Sequence, residues 1–185
     1  GVVNLLGATS LLPPGIEAQV EAEQGIGQAL PILSQFVILD LHGKKQPAYL
    51  IGYDPEQGGG PWRITAGREP QTDSEMIFDR VLAERHDLAL GDSLELMGQD
   101  FTIVGLSDGT TSWMTSFFFI RKPAAEDLLR APGAVSFLLV TPAEGADLNT
   151  LVRRLDDLEG VNALTKTAMA ANDLKLFAKV FSAPL

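Results

Sequence analysis

Between Ser93 and Val104 the chain alternates apolar and polar residues with a period of two. Leu94 and Leu96 share one face, and Ser93, Glu95 and Met97 take the other. After Gly98-Gln99-Asp100 the alternation resumes, with Phe101 and Ile103 opposed to Thr102 and Val104. Only an extended strand places successive side chains on opposite faces. Gly98 offers the positive φ that a tight hairpin turn needs. The stretch from Leu88 to Leu106 is therefore predicted to be two antiparallel strands, introduced by Gly91-Asp92. The stretch contains no nucleophile, no metal-ligand spacing and no phosphate loop.

The rest of the chain surrounds this hairpin with mixed elements. Ile16 to Gln24 reads as a short helix, with Ile16 and Val20 on one face and Gly25 after it. Gln35 to Leu41 and Ala48 to Tyr53 read as strands joined by a turn at His42-Gly43-Lys44-Lys45. Asp54-Pro55 to Gly60-Pro61 is a loop. Glu75 to Asp79 is a strand whose last residue can cap a helix from Arg80 to His86. Val135 to Thr141 is a strand. Ala146 to Leu158 is a helix, because Leu148, Leu151, Val152, Leu155 and Leu158 form one apolar stripe. Val161 to Thr165 then returns as a strand, giving a βαβ-like unit. Asn172-Asp173 can cap a last helix, with Leu174, Phe177 and Phe181 on one face.

Composition removes several functions. With 14 Lys and Arg against 24 Asp and Glu, the net charge of −10 repels phosphate backbones, so no nucleic-acid partner is expected. Cysteine is absent, which excludes disulfides and thiolate chemistry. The apolar runs Phe36-Val37-Ile38-Leu39 and Phe117-Phe118-Phe119-Ile120 fall far short of the roughly 18 residues that suggest a membrane span. The abrupt ends suggest a piece of a longer protein.

Candidate chemistry is sparse. No Gly-x-Ser-x-Gly elbow and no Walker A loop occurs. His42 and His86, the only histidines, read as surface residues. Asp156, Asp157 and Glu159 read as the solvated face of a helix, and Gly58-Gly59-Gly60 as a turn. No metal, cofactor or catalytic residue is expected. Trp113-Met114-Thr115-Ser116-Phe117-Phe118-Phe119-Ile120 is the most apolar stretch. One reading is a buried strand with its approach loop. The other is a contact patch, since Gly109-Thr110-Thr111-Ser112 before it reads as an exposed loop and Trp, Met and Phe suit interfaces. The two can coexist, with Phe117 and Phe119 inward and Trp113 and Met114 outward. Trp113, Met114 and Phe118 are the candidate partner-contact residues.

Five pieces follow one another in order: Ile64-Thr65-Ala66-Gly67-Arg68-Glu69-Pro70, Ser74-Glu75-Met76-Ile77-Phe78-Asp79, Val81-Leu82-Ala83, Leu90-Gly91-Asp92-Ser93-Leu94-Glu95-Leu96 and Phe101-Thr102-Ile103-Val104-Gly105-Leu106. Together with Ala48 to Asp54 before them, this order resembles the extracytoplasmic core domain of MacB-like, FtsX-type ABC transporter permeases. The resemblance runs from about Ala48 to Arg130. It implies an α+β fold of two lobes: a mixed α/β lobe from both chain ends, residues 1–50 and 132–185, and an inserted β-rich lobe, residues 51–131. It implies a non-catalytic domain between two membrane helices of a bacterial inner-membrane permease, facing the periplasm or the cell exterior. Such a domain couples ATP hydrolysis to work outside the membrane. The implied partners are an ABC ATPase subunit or domain, a periplasmic adaptor (membrane fusion) protein, and a second permease copy. Both termini should then lie on one side of the fold, with the Asn172–Phe181 helix running toward it. Two other classes stay open. One is a free-standing periplasmic ligand-binding or adaptor module, with Trp62, Trp113 and Phe118 lining a groove. The other is a hydrolase using scattered carboxylates.

Overall fold

A computed structural model describes residues 3–7, 11–61, 63–111 and 116–165. The expected final helix over Asn172–Phe181 lies outside the described residues. The chain divides into two compact units, Gly1–Pro31 with Ser136–Leu185, and Ile32–Val135. The first boundary falls after Pro31 rather than after residue 50. A boundary after residue 50 would fall inside β3 (Lys44–Tyr53), which pairs with β2 (Ile26–Leu41) from Leu33↔Gly52 to Leu41↔Lys44.

The first unit carries β1 (Val3–Gly7), α1 (Ile16–Glu21), the start of β2, β9 (Phe137–Pro142), α4 (Leu148–Asp156) and β10 (Val161–Thr165). β1 lies between β9 and β10 and pairs antiparallel with both, so those two strands run parallel to each other. The βαβ-like unit read from the sequence is present, with β1 inserted between its strands. Asp147 caps α4 by accepting from Thr150 N at 3.3 Å, which answers one of the helix's orphan amides. Its stripe buries Leu151 and Leu155, while Ile16 and Val20 bury the apolar face of α1.

The second unit is a mixed sheet in the order β2-β3-β8-β5-β7-β4, with β6 beside the first half of β7. Its remaining strands are β4 (Ile64–Gly67), β5 (Glu75–Asp79), β6 (Ser93–Leu96), β7 (Gln99–Ser107) and β8 (Phe117–Arg121). Two helices complete it, α2 (Arg80–Arg85) and α3 (Lys122–Leu129). The core gathers Leu41, Leu50, Phe78, Phe101, Ile103 and Phe118 with Leu82 of α2 and Ala125 of α3. The alternation expected of the hairpin holds: Leu94, Leu96, Phe101 and Ile103 are buried, and Met97 is 62% exposed. The turn itself is Met97-Gly98, with φ of 49° and 83°, and Gln99 and Asp100 already belong to β7. Two consecutive positive φ values are what a two-residue hairpin loop requires.

Candidate functional site

Asp79 ends β5 in an extended conformation and opens α2. Its Oδ1 accepts from Leu82 N at 3.0 Å, so it is the helix cap expected from the sequence. The side chain is 1% exposed. Burying a carboxylate without partners is costly, and hydrogen bonds offset that cost. The second oxygen, Oδ2, accepts from Thr110 N at 3.2 Å and from Thr110 Oγ1 at 2.5 Å. Ser107 stands behind Thr110, its Oγ 2.6 Å from Thr110 Oγ1 and 3.3 Å from the Phe78 carbonyl. Thr110 gives its hydroxyl proton to Asp79, so Ser107 donates to Thr110 or to Phe78. One acidic side chain thus ties the start of α2 to the segment leaving β7.

That segment forms a closed neck. Phe117 N donates to Thr110 O at 2.9 Å, and Thr111 bridges antiparallel to Ser116, with Thr111 Oγ1 donating to Ser116 Oγ at 3.1 Å. Tyr49 N donates to Ser116 O at 2.8 Å, tying the neck to β3. Outside, Arg80 reaches Asp108 at 3.2 Å and Glu84 at 2.9 Å, and Arg63 lies 3.9 Å from Asp108. Such exposed pairs contribute at most about 1 kcal/mol each. The buried network, not the ion pairs, holds the neck.

A second knot stabilises the loop before β5. Arg68 pairs with Glu75 at 2.5 Å, and Glu75 Oε1 accepts from Gln71 N at 2.8 Å and Thr72 N at 3.0 Å. The Arg68 guanidinium, followed by the two amides, lowers the Glu75 pKa to about 2. Nearby, Glu56 is held at about 2 by hydrogen bonding to Asp54 and then to Arg121. Tyr53 is fully buried and donates to Glu69 at 3.1 Å, and burial raises its hydroxyl well above the usual range.

The three candidate contact residues separate. Trp113 and Met114 lie outside the described residues, as does Trp62. Phe118 does not belong on a contact surface: it is 1% exposed and packs with Leu50 and Phe78 in the core. Phe119 is buried as expected, but Phe117 is only half-buried and Phe118 is buried too, so β8 is covered on both faces. Phe118 and Ile120 face the helices, while Phe117 and Phe119 face away and meet Tyr49 and Tyr53 across β3. A run of four apolar residues carries no alternation, so its sequence could not fix this parity. Asp79, Ser107 and Thr110 were missed as site residues, although the cap signal at Asp79 was legible.

Among the described residues, no group of three His, Asp or Glu is placed to hold a metal ion. The close carboxylates Asp54 and Glu56 sit in an exposed turn, with Arg121 on Glu56 at 3.1 Å. A recess in the first unit is lined by Gln24, Gly25, Asp147 and Arg154 among others. Its one carboxylate, Asp147, is occupied by Thr150, and Arg154 donates to the Gln24 carbonyl at 3.0 Å. No described helix is long and apolar enough to cross a membrane.

No curated protein matches the chain in sequence. The fold is similar to the periplasmic region of MacB from Actinobacillus actinomycetemcomitans, with a TM-score of 0.67 and 11% identity over 100% of this chain and 94% of that one. It is also similar to the extracellular domain of the noncanonic ABC-type transporter YknZ from Gram-positive bacteria, with a TM-score of 0.65 and 12% identity over 89% of this chain and 100% of that one. At these identities the likeness is one of fold. The sequence itself carries the assignment: residues 7–158 match the MacB-like periplasmic core domain, so the chain belongs to that family, a non-catalytic extracytoplasmic domain of ABC transporter permeases whose ATPase activity resides elsewhere.

Proposed function

We propose that this domain couples ATP hydrolysis by a cytoplasmic ABC ATPase subunit or domain to export or other work outside the membrane, as part of a bacterial inner-membrane permease. Its contact element is the loop Gly109 to Met114, which meets a periplasmic adaptor protein or the second permease copy. The observation that carries this reading is the neck. A buried carboxylate and two hydroxyls hold the base of that loop. A domain that passes on motion needs stiff elements and defined surfaces.

The test uses the full permease. Paired Trp113→Ala and Met114→Ala substitutions should lower export while leaving the melting temperature of the domain in place. A lowered melting temperature with no specific export defect would assign these side chains to the core. The coupling role has its own test. A long Gly/Ser linker inserted after Ser182 should leave ATP hydrolysis largely intact and reduce export, because a slack chain transmits no displacement. Normal export with the linker would remove that role.

A further inference from the structure

We propose that Asp79 is a positioning residue for the contact loop, locking the neck at Thr110 so that the loop leaves the domain in a single register. The proposal rests on the contact reading for its consequence and on the Asp79 geometry for its cause. A helix cap needs one acceptor, and Oδ1 supplies it to Leu82 N. Ser, Thr or Asn would cap as well. The second oxygen has a different task, because it takes both the amide and the hydroxyl of Thr110. Only a carboxylate offers acceptors in both directions. In Asp79→Asn one of the two positions becomes an N–H donor, facing either Leu82 N–H or the two donors of Thr110.

The lock sits where register is decided. Immediately beyond Thr110 the chain closes on itself through Phe117 N to Thr110 O and through the Thr111–Ser116 bridge. A slip of one residue in such a ladder turns every later side chain to the opposite face. Backbone pairing alone permits that slip. The Asp79–Thr110–Ser107 chain does not, since it recognises one hydroxyl at one position. Ser107 and Thr110 are themselves buried, at 0% and 2% exposure, so water cannot easily replace the lost partners.

Hydrogen exchange on this 185-residue chain and export by the full permease test the proposal together. Thr110→Val removes the hydroxyl and keeps the shape. It should speed exchange of the Phe117 amide by roughly tenfold or more, the size expected for losing a hydrogen bond to a charged group. The Leu82 amide, capped by the other oxygen, should exchange as before. Thr110→Ser should restore slow exchange at Phe117. In the permease, assayed at a temperature where the domain stays folded, Thr110→Val should reduce export, and Thr110→Ser should restore it. If Thr110→Val fails to fold, Ser107→Ala gives the same readouts at smaller amplitude. Unchanged exchange at Phe117 overturns the proposal and leaves the contact reading to the Trp113 and Met114 variants. Faster exchange at Phe117 with normal export overturns the positioning role, while the contact reading stands or falls with the Trp113 and Met114 variants.

Discussion

Gly52→Ala is the sharpest probe of how α3 is seated on β3. A Cβ at position 52 of β3 would lie 2.5 Å from Ala125 Cβ on α3, with Lys122 Cα at 3.4 Å and the Leu33 carbonyl at 3.5 Å. Carbon atoms rest at about 3.5–4.0 Å, so α3 would have to withdraw by about 1 Å or more. Overpacking of this kind costs about 1–3 kcal/mol. Ala125→Gly costs about 0.8 kcal/mol for a buried methyl and about 1 kcal/mol for glycine in a helix. The double variant Gly52→Ala/Ala125→Gly moves the methyl from helix to strand and removes the clash. It should cost about 1–2 kcal/mol, against a sum of singles near 4 kcal/mol, so the coupling is about 2 kcal/mol. Urea unfolding followed by circular dichroism gives the three midpoints, compared at constant slope. Double-variant destabilisation equal to the sum of the singles would refute the packing argument. The result bears on function because α3 follows β8 directly, and β8 begins at the neck.

Two further outcomes concern the hairpin and the loop before β5. Leu96→Ala should cost about 2–5 kcal/mol, since Leu96 is 5% exposed in the core. Glu95 stands directly opposite Asp100, so Glu95→Lys should stabilise the domain by about 0.2–1 kcal/mol, and a urea midpoint that falls would refute this pairing. Glu75 is lowered from 4.5 to about 2. Its contribution is therefore complete above pH 4.5 and is lost as pH falls toward 2. The melting temperature of Glu75→Gln should thus be flatter over that interval than that of the parent, and parallel curves would contradict the pairing.

The sequence was legible where a single force decides. The hairpin faces, the Asp79 cap and the α4 stripe each follow from one local pattern, and each is found where expected. It was opaque where the deciding partner lies far along the chain. The β8 run Phe117–Ile120 shows no alternation, and its facing is set by β3 and β5 on either side. The length of β2 went unseen because Pro31 and Ser34 interrupt its apolar pattern. Helix α3, with Pro123 in its first turn, went unread, although proline suits that position. The polar lock at Thr110 joins residues 31 positions apart, a separation no motif spans.

The insertion of one unit within the other also sets an order in time. β1 is made first, yet its neighbours β9 and β10 are the last described strands of the chain. Val3 must wait for Val140 and Thr165, whereas every strand of the second unit is complete by Arg121. As the chain emerges from its N-terminus, the inner unit can close while β1 still offers two unpaired edges. During biogenesis, therefore, the vulnerable species is a half-made domain whose inner unit is finished while β1 still waits for β9 and β10. A chain stopped at Val135 should retain the inner unit's protected amides and leave residues 3–7 open to proteolysis.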